Sequence, residues 1–148
     1  MLVDTNAILS LMIETHPRHE VMVSALQSLL LNDVEVTIVP QNLVEFWVVA
    51  TRPLAQNGLG ITPIEATSQL NRIKGNFALL SENELIYPVW ESLVTEYSVS
   101  GKPSHDARLV AAMKVHGLTS ILTFDKTGFS RFPGIKVVHP AEIDSYLR

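Results

Sequence analysis

Four acidic residues, Asp4, Glu45, Asp106 and Asp125, are the part of this sequence best suited to chemistry, although they lie far apart in the chain. Asp4 and Asp125 each follow a short apolar run that predicts a buried strand, and parallel strands place their carboxyl ends at one edge of a sheet. Apolar residues flank the other two acids in segments with helical periodicity. We therefore expect all four carboxylates to face one cavity.

Carboxylates that share one cavity repel each other, because like charges about 4 Å apart repel by about 4 kcal/mol at an effective dielectric constant near 20. Such a cluster must take up protons or bind cations. The sequence has no cysteine, so the ligands would be oxygen or imidazole, which favours Mg²⁺ or Mn²⁺. A divalent ion of this kind activates water and holds a phosphodiester, which predicts a phosphate substrate.

Four more polar residues lie next to these acids in the predicted site. Asn6 and Thr123 are placed to orient a carboxylate or a bound water. Arg108 and Lys126 follow the third and fourth acids and are candidates for contacting a substrate phosphate. Turn formation, strand propensity and simple solvation explain these four residues at least equally well.

Each acid also has an ordinary structural explanation. Asp4 and Asp125 are suited to capping a following helix, and an acid in a first helical turn, as expected for Asp106, is favoured by the helix dipole. Glu45 is suited to the edge of its helix or to an ion pair with Arg52. Taken singly, these explanations are about as good as a metal site. The coincidence of four acids on strand ends and inward helix faces favours the metal site.

The remaining pattern alternates helices with short apolar strands, which predicts an α/β fold with a short parallel sheet covered by helices on both faces. The second helix should bury Val21, Ala25, Leu26 and Leu29. Strands are expected to end at Val3 and to span Glu35–Val39, Ser120–Thr123 and Ile135–Val138, with helices over Asn6–Ile13, Pro17–Leu31, Gln41–Thr51, Ser104–Gly117 and Pro140–Leu147 and others opening at Thr62 and Pro88.

Length and composition narrow the class of protein. With 148 residues and 47% hydrophobic content, the chain predicts one globular domain over residues 1–148. No apolar run reaches the roughly 20 residues of a membrane helix, and no signal peptide is apparent, so we expect a cytoplasmic protein. A net charge of −4 argues against a nucleic-acid partner. However, basic residues outnumber acidic ones from Lys102 onward.

The ordered set of motifs resembles a PIN domain, close to the VapC toxins of bacterial toxin–antitoxin pairs. The matching segments are Val3–Asn6, the helix that carries Glu45, His105–Ala112 and Leu122–Asp125. The resemblance covers essentially the whole chain. It implies a three-layer Rossmann-like fold and a Mg²⁺- or Mn²⁺-dependent endoribonuclease, usually a homodimer inhibited by an antitoxin protein.

Carried over by position, the resemblance makes Asp4, Glu45, Asp106 and Asp125 the metal-site acids, with Asn6 and Thr123 supporting them. Many relatives have a further aspartate immediately before the phenylalanine that follows the fourth motif. Here that position is Gly128. Asp125 alone would then serve as the fourth acid, and the loss of the further carboxylate would weaken a second metal site.

Three other functions remain open. A PIN nuclease can process RNA outside a toxin pair. Asp4 could instead be the nucleophile of an aspartyl-phosphate phosphatase or receiver, although residue 6 is not the second aspartate that haloacid-type phosphatases require. Finally, the acids could have structural roles only, in a binding module whose partner surface is the helix carrying Phe46 and Trp47.

Overall fold

The computed structural model describes residues 1–148 and contains one five-stranded sheet flanked by seven α-helices. The strands are β1 (Leu2–Val3), β2 (Thr37–Ile38), β3 (Ala78–Leu79), β4 (Ser120–Leu122) and β5 (Lys136–Val138). The helices are α1 (Thr5–Met12), α2 (His19–Leu31), α3 (Pro40–Thr51), α4 (Pro63–Asn76), α5 (Ile86–Glu96), α6 (Pro103–Val115) and α7 (Ile143–Leu147). Two 3₁₀ turns, Leu54–Gln56 and Pro140–Glu142, follow α3 and precede α7.

All strand pairs are parallel, and the strand order is β3-β2-β1-β4-β5. Strand β1 is central, because Leu2 pairs with Thr37 of β2 on one side and with Ile121 of β4 on the other. The carboxyl ends of β1 and β4 therefore lie side by side. The residues that follow these two strands, Asp4 and Thr123, meet at this edge of the sheet.

Helices cover both faces of the sheet, because successive strand residues point to opposite sides. Val3 and Leu122 pack in one apolar cluster with α1, α2, α3, α4 and α7, whereas Leu2 and Ile121 pack in a second cluster with α5 and α6. Leu2 and Val3 are fully buried, and each such side chain contributes about 1.5 to 3 kcal/mol of hydrophobic stabilisation. The prediction of a parallel sheet covered on both faces is confirmed.

Several predicted boundaries are wrong near prolines. Pro17 lies outside α2, which begins two residues later, at His19. Pro88 lies within the first turn of α5 instead of opening it, and this is tolerated because the first backbone N–H groups of a helix have no partner. Helix α6 begins at Pro103, so Ser104 is not its cap. Each proline does mark a helix start to within two residues.

One prediction fails on burial, and one strand was not predicted at all. In α2, Val21 is 39% exposed and its neighbour Met22 is fully buried, so the apolar stripe is rotated by one residue at its start. Strand β3 was not predicted, because it is a two-residue edge strand whose side chains are both exposed. An exposed edge strand has no apolar alternation to reveal it.

The seven α-helices include no span whose length and hydropathy would let it cross a membrane.

Candidate active site

Asp4 lies at the junction between β1 and α1 and is only 7% exposed. Its Oδ1 accepts a hydrogen bond from the backbone N–H of Thr5 (2.7 Å), and its Oδ2 accepts from Asn6 Nδ2 (2.9 Å) and Thr123 Oγ1 (2.6 Å). Burial raises the pKa of Asp4 to about 6, although the hydrogen bonds from Thr123 and Thr5 oppose the shift and Glu45 adds repulsion. Asp4 therefore caps α1, as its structural explanation predicted, and also lies among the acids.

Glu45 reaches the same place from α3. Its Oε2 accepts a hydrogen bond from Thr5 Oγ1 (2.8 Å), and its Oε1 accepts one from Gln41 Nε2 (2.7 Å). Because Thr5 directly follows Asp4, the first contact fixes Glu45 next to the end of β1. The alternative of an ion pair with Arg52 is wrong, since the guanidinium of Arg52 donates to the carbonyl oxygen of Asn57 instead.

Asp106 lies in the first turn of α6 and is half-buried. Burial, followed by repulsion from Asp4, Glu45 and Asp125, raises the pKa of Asp106 to about 7, and Arg131 opposes this shift. No hydrogen bond contributes to the pKa of this carboxylate. Asp106 is therefore the acid whose charge the protein compensates least.

Asp125 differs from the other acids because it is exposed and well hydrogen-bonded. Its Oδ1 accepts hydrogen bonds from Thr127 Oγ1 (2.8 Å), Thr127 N (3.0 Å) and Gly128 N (3.2 Å). The side-chain hydrogen bond from Thr127 is the main reason that the pKa of Asp125 is lowered. No helix follows Asp125 directly, so the helix-cap explanation is wrong and the side chain organises a turn instead.

The turn brings Asp125 close to Asp106. A Cβ atom placed on Gly128 would lie 3.0 Å from Asp106 Oδ2 and 3.0 Å from Asp125 Oδ2. The two carboxylate oxygens are therefore at most about 6 Å apart, which is twice 3.0 Å. Asp4 and Asp106 are each repelled by Glu45 and Asp125, so the four carboxylates lie near one another at this edge of the sheet. The negative charge gathered there comes from four separate segments of the chain.

Asn6 and Thr123 connect these acids. Thr123 is fully buried, donates to Asp4 and accepts a hydrogen bond from the backbone N–H of Asp125 (3.0 Å). Asn6 donates to Asp4 and to Thr123 Oγ1 (3.1 Å), and its Oδ1 accepts from the backbone N–H of Phe124 (3.2 Å). The pair thus orients the Asp4 carboxylate and ties β1 to the segment after β4.

The two predicted phosphate-contacting residues are both in surface ion pairs. Arg108 pairs with Glu82 (2.7 Å) and Lys126 pairs with Glu142. Arg108 faces a cleft of about 800 Å³ that is lined by two of the acids, Glu45 and Asp106, and by the basic side chains of Arg52 and Lys102. Asp4, Asp125 and Lys126 are not among the residues that line it.

The chain matches the PIN domain family over residues 1–135, a span that contains all four acids and every strand except the last. The chain belongs to the PIN domain family. No curated protein sequence matches it. The arrangement of acids described above is thus carried by a PIN domain.

Solved structures with the same fold include several toxin–antitoxin proteins. VapBC2 from Rickettsia felis bound to promoter DNA has 15% identity and a TM-score of 0.69, with 93% of this chain and 96% of that chain covered. DNA-bound VapBC from Salmonella typhimurium has 17% identity and a TM-score of 0.69, covering 94% and 96%. Mycobacterium tuberculosis VapC20, a sarcin–ricin loop cleaving toxin, has 19% identity and a TM-score of 0.62, covering 88% and 94%. At these identities the likeness is one of fold.

The donor set of this PIN domain suits a hard divalent cation. All four acids offer carboxylate oxygens, the ligands that Mg²⁺ prefers, and the pKa values of Asp4 and Asp106 are raised. The structure contains no group of three or more acidic or histidine side chains that could hold a metal ion by themselves. Mg²⁺ usually binds one or two carboxylates together with waters and substrate phosphates, so partial protein ligation is what such a site requires.

Two polar residues of the site, Gln41 and Asn42, were missed in the sequence. Asn42 is fully buried, accepts from the backbone N–H of Val39 (2.9 Å) and donates to Thr5 Oγ1 (3.2 Å). Gln41 contacts Glu45 one helical turn away. That spacing of four residues on a helix was a usable signal for Gln41, because side chains four apart are neighbours on a helix surface.

Proposed function

We propose that this PIN domain protein is a Mg²⁺- or Mn²⁺-dependent endoribonuclease that cleaves RNA phosphodiesters. The observation that carries the proposal is the meeting of four carboxylates from separate segments, two with raised pKa values, beside a cleft with basic side chains. Carboxylates in this state gain most from a divalent ion. The chain as a whole has a net charge of −4, which would repel RNA, but the basic side chains of the cleft would attract phosphate locally.

In this proposal Asp4, Glu45, Asp106 and Asp125 hold the ion. When bound, it would lower the pKa of a water molecule and stabilise charge on the leaving oxygen. Asn6 and Thr123 keep the Asp4 carboxylate in a single orientation through their hydrogen bonds.

The substrate would be held by the cations of the cleft. Arg108, Arg52 and Lys102 line it together with Glu45 and Asp106, so a phosphodiester bound to them would lie beside the acids. Arg108 would then exchange its surface contact with Glu82, which is worth about 0 to 1 kcal/mol, for a phosphate contact. Lys126, which pairs with Glu142 outside the cleft, is the weaker of the two predicted phosphate contacts.

We further propose that the protein is the toxin of a type II toxin–antitoxin pair, with an antitoxin partner and a homodimeric state. The support is the likeness of fold to VapBC assemblies and an exposed apolar surface on α3 and α4 formed by Leu43, Val44, Trp47, Val48 and Leu70. Phe46 is fully buried and takes no part in this surface. A PIN nuclease that processes RNA outside a toxin pair would use the same site.

An aspartyl-phosphate mechanism is less well supported. Residue 6, where haloacid-type phosphatases require a second aspartate, is an asparagine that donates a hydrogen bond to Asp4. Absence of a phosphoaspartate after incubation with a phosphodonor would exclude this alternative.

The nuclease proposal is tested with purified protein and RNA in Mn²⁺ or Mg²⁺, with and without chelator. Asp106→Asn should abolish cleavage, because it removes a metal ligand without removing a hydrogen bond. Asp144→Asn is the matched control, since Asp144 is an exposed acid in α7. Equal cleavage by wild type and Asp106→Asn, or full cleavage in chelator, would refute the proposal.

A growth assay tests the toxin assignment separately. Expression of the wild-type chain alone in a bacterial host should slow growth, and expression of Asp106→Asn should not. Cleavage in vitro without any effect on growth would leave the nuclease proposal in place and reject the toxin assignment.

A further inference from the structure

Gln41 is a fully hydrogen-bonded polar side chain near the acids. It is the second residue of α3 and is 8% exposed. Its Nε2 donates to Glu45 Oε1 (2.7 Å) and to the carbonyl oxygen of His105 (2.9 Å), and its Oε1 accepts from Arg108 Nη1 (3.2 Å). Both amide protons and the carbonyl oxygen are therefore used. A buried amide is tolerated only when it is paired in this way.

These contacts connect two of the acids through one side chain. Glu45 is held on Oε2 by Thr5 and on Oε1 by Gln41, so its carboxylate cannot rotate without losing one bond. The second amide proton of Gln41 is donated to the backbone carbonyl oxygen of His105, the residue immediately before Asp106. Gln41 thus links the helix that carries Glu45 to the helical turn that carries Asp106.

We propose that Gln41 is a positioning residue that fixes the orientation of Glu45 and its separation from Asp106, and thereby sets the affinity of the site for a divalent cation. This inference rests on the proposed function. Groups that orient metal ligands commonly change metal affinity by about 10- to 100-fold when removed.

The helix itself does not depend on Gln41. Its start is held by the side chain of Asn42, which accepts from the backbone N–H of Val39, and its buried face is formed by Phe46 and Ala50. A methionine at position 41 would fill nearly the same volume without the amide. Gln41→Met should therefore release Glu45 while α3 stays folded.

The experiment measures Mn²⁺ binding by calorimetry without RNA, with melting temperature in chelator as the check on folding. Gln41→Met should weaken Mn²⁺ binding by about 10-fold or more. Gln27→Met, a change at an exposed glutamine of α2, should leave the affinity within about twofold of wild type. Arg108→Met removes the contact to Gln41 Oε1 and the surface ion pair with Glu82 but leaves both hydrogen bonds from Gln41 Nε2 in place, so it should raise the KM for RNA while Mn²⁺ affinity stays within about twofold.

Unchanged Mn²⁺ affinity in a folded Gln41→Met variant would overturn the inference and leave the proposed nuclease standing. If wild type itself binds no Mn²⁺, both are overturned. If Gln41→Met does not fold, Gln41→Leu repeats the test with a shorter apolar side chain. A melting temperature lowered in parallel with an unchanged Mn²⁺ affinity would assign Gln41 a structural role alone, which also overturns the inference.

Discussion

Replacing Asp106 by asparagine should make the metal-free protein more stable, although the same change should abolish activity. Most substitutions at buried polar sites are destabilising, because they leave a partner without its hydrogen bond. Asp106 is an exception, since no hydrogen bond contributes to its pKa and burial and its acidic neighbours disfavour its charge. Asparagine has nearly the same shape and carries no charge.

The size of the effect follows from the raised pKa. A pKa raised from 3.8 to about 7 corresponds to about 4 kcal/mol if it acts at full strength. Because the side chain is only half-buried, solvent screening reduces this to about 1 to 2 kcal/mol. For a chain of this length, such a gain should raise the melting temperature by about 3 to 6 °C.

The sign of the pH dependence follows from the same shift. A raised pKa means that the folded state binds the proton more tightly than the unfolded state, so wild type loses stability as pH rises from about 4 to about 7. Below about pH 4 both states are protonated, and the advantage of Asp106→Asn disappears. Above about pH 7 the full difference in stability between Asp106→Asn and wild type is present.

Urea unfolding in chelator, at about pH 4 and about pH 8, measures this difference. Mn²⁺ at about 100 times its dissociation constant should then raise the free energy of unfolding of wild type by about 2.7 kcal/mol and change that of Asp106→Asn little. The control Asp144→Asn should change the free energy of unfolding by less than about 0.5 kcal/mol at either pH. An Asp106→Asn variant that is less stable than wild type at about pH 8 would refute the reasoning.

Other predictions concern Gly128, Thr62 and Gly75. Gly128→Asp places a further carboxylate against Asp106 and Asp125, so it should bind Mn²⁺ at least about 10-fold more tightly than the uncharged control Gly128→Asn, as calorimetry would detect. Equal affinities would contradict this. Thr62→Ala removes a capping box from α4 and should cost about 1 kcal/mol in urea unfolding without changing cleavage. Gly75→Ala, in the same helix and with open space around it, should raise the free energy of unfolding by as much as about 1 kcal/mol. A lower free energy of unfolding would contradict this.

The buried layers of the fold could be predicted from sequence because their apolar residues recur with a regular period. The strands β1, β4 and β5 and the helices between them follow this rule. Strand β3 does not, since both its residues are exposed and it is held by backbone hydrogen bonds to β2. The exact face of α2 was also missed, because Val21 and Met22 are adjacent and equally apolar.

At the site, residue type predicted which side chains gather but not how each is held. Asp125 looked like a helix cap because it follows a strand, yet a turn closes on it instead. Arg108 looked free to meet phosphate, but Glu82, 26 positions away, pairs with it. The contacts of Gln41 with His105 and Arg108 join residues 64 and 67 positions apart, and no local pattern reveals such distances.

The hydrogen bond from Thr123 to Asp4 joins residues 119 positions apart, across the two central strands of the sheet. During synthesis, Asp4 leaves the ribosome long before the segment that orients it. A nascent chain that stops short of β4 contains Asp4, Glu45 and Asp106 but lacks Asp125 and the threonine that orients Asp4. The four acids of the proposed metal site therefore cannot assemble until the ribosome has translated the chain beyond Asp125.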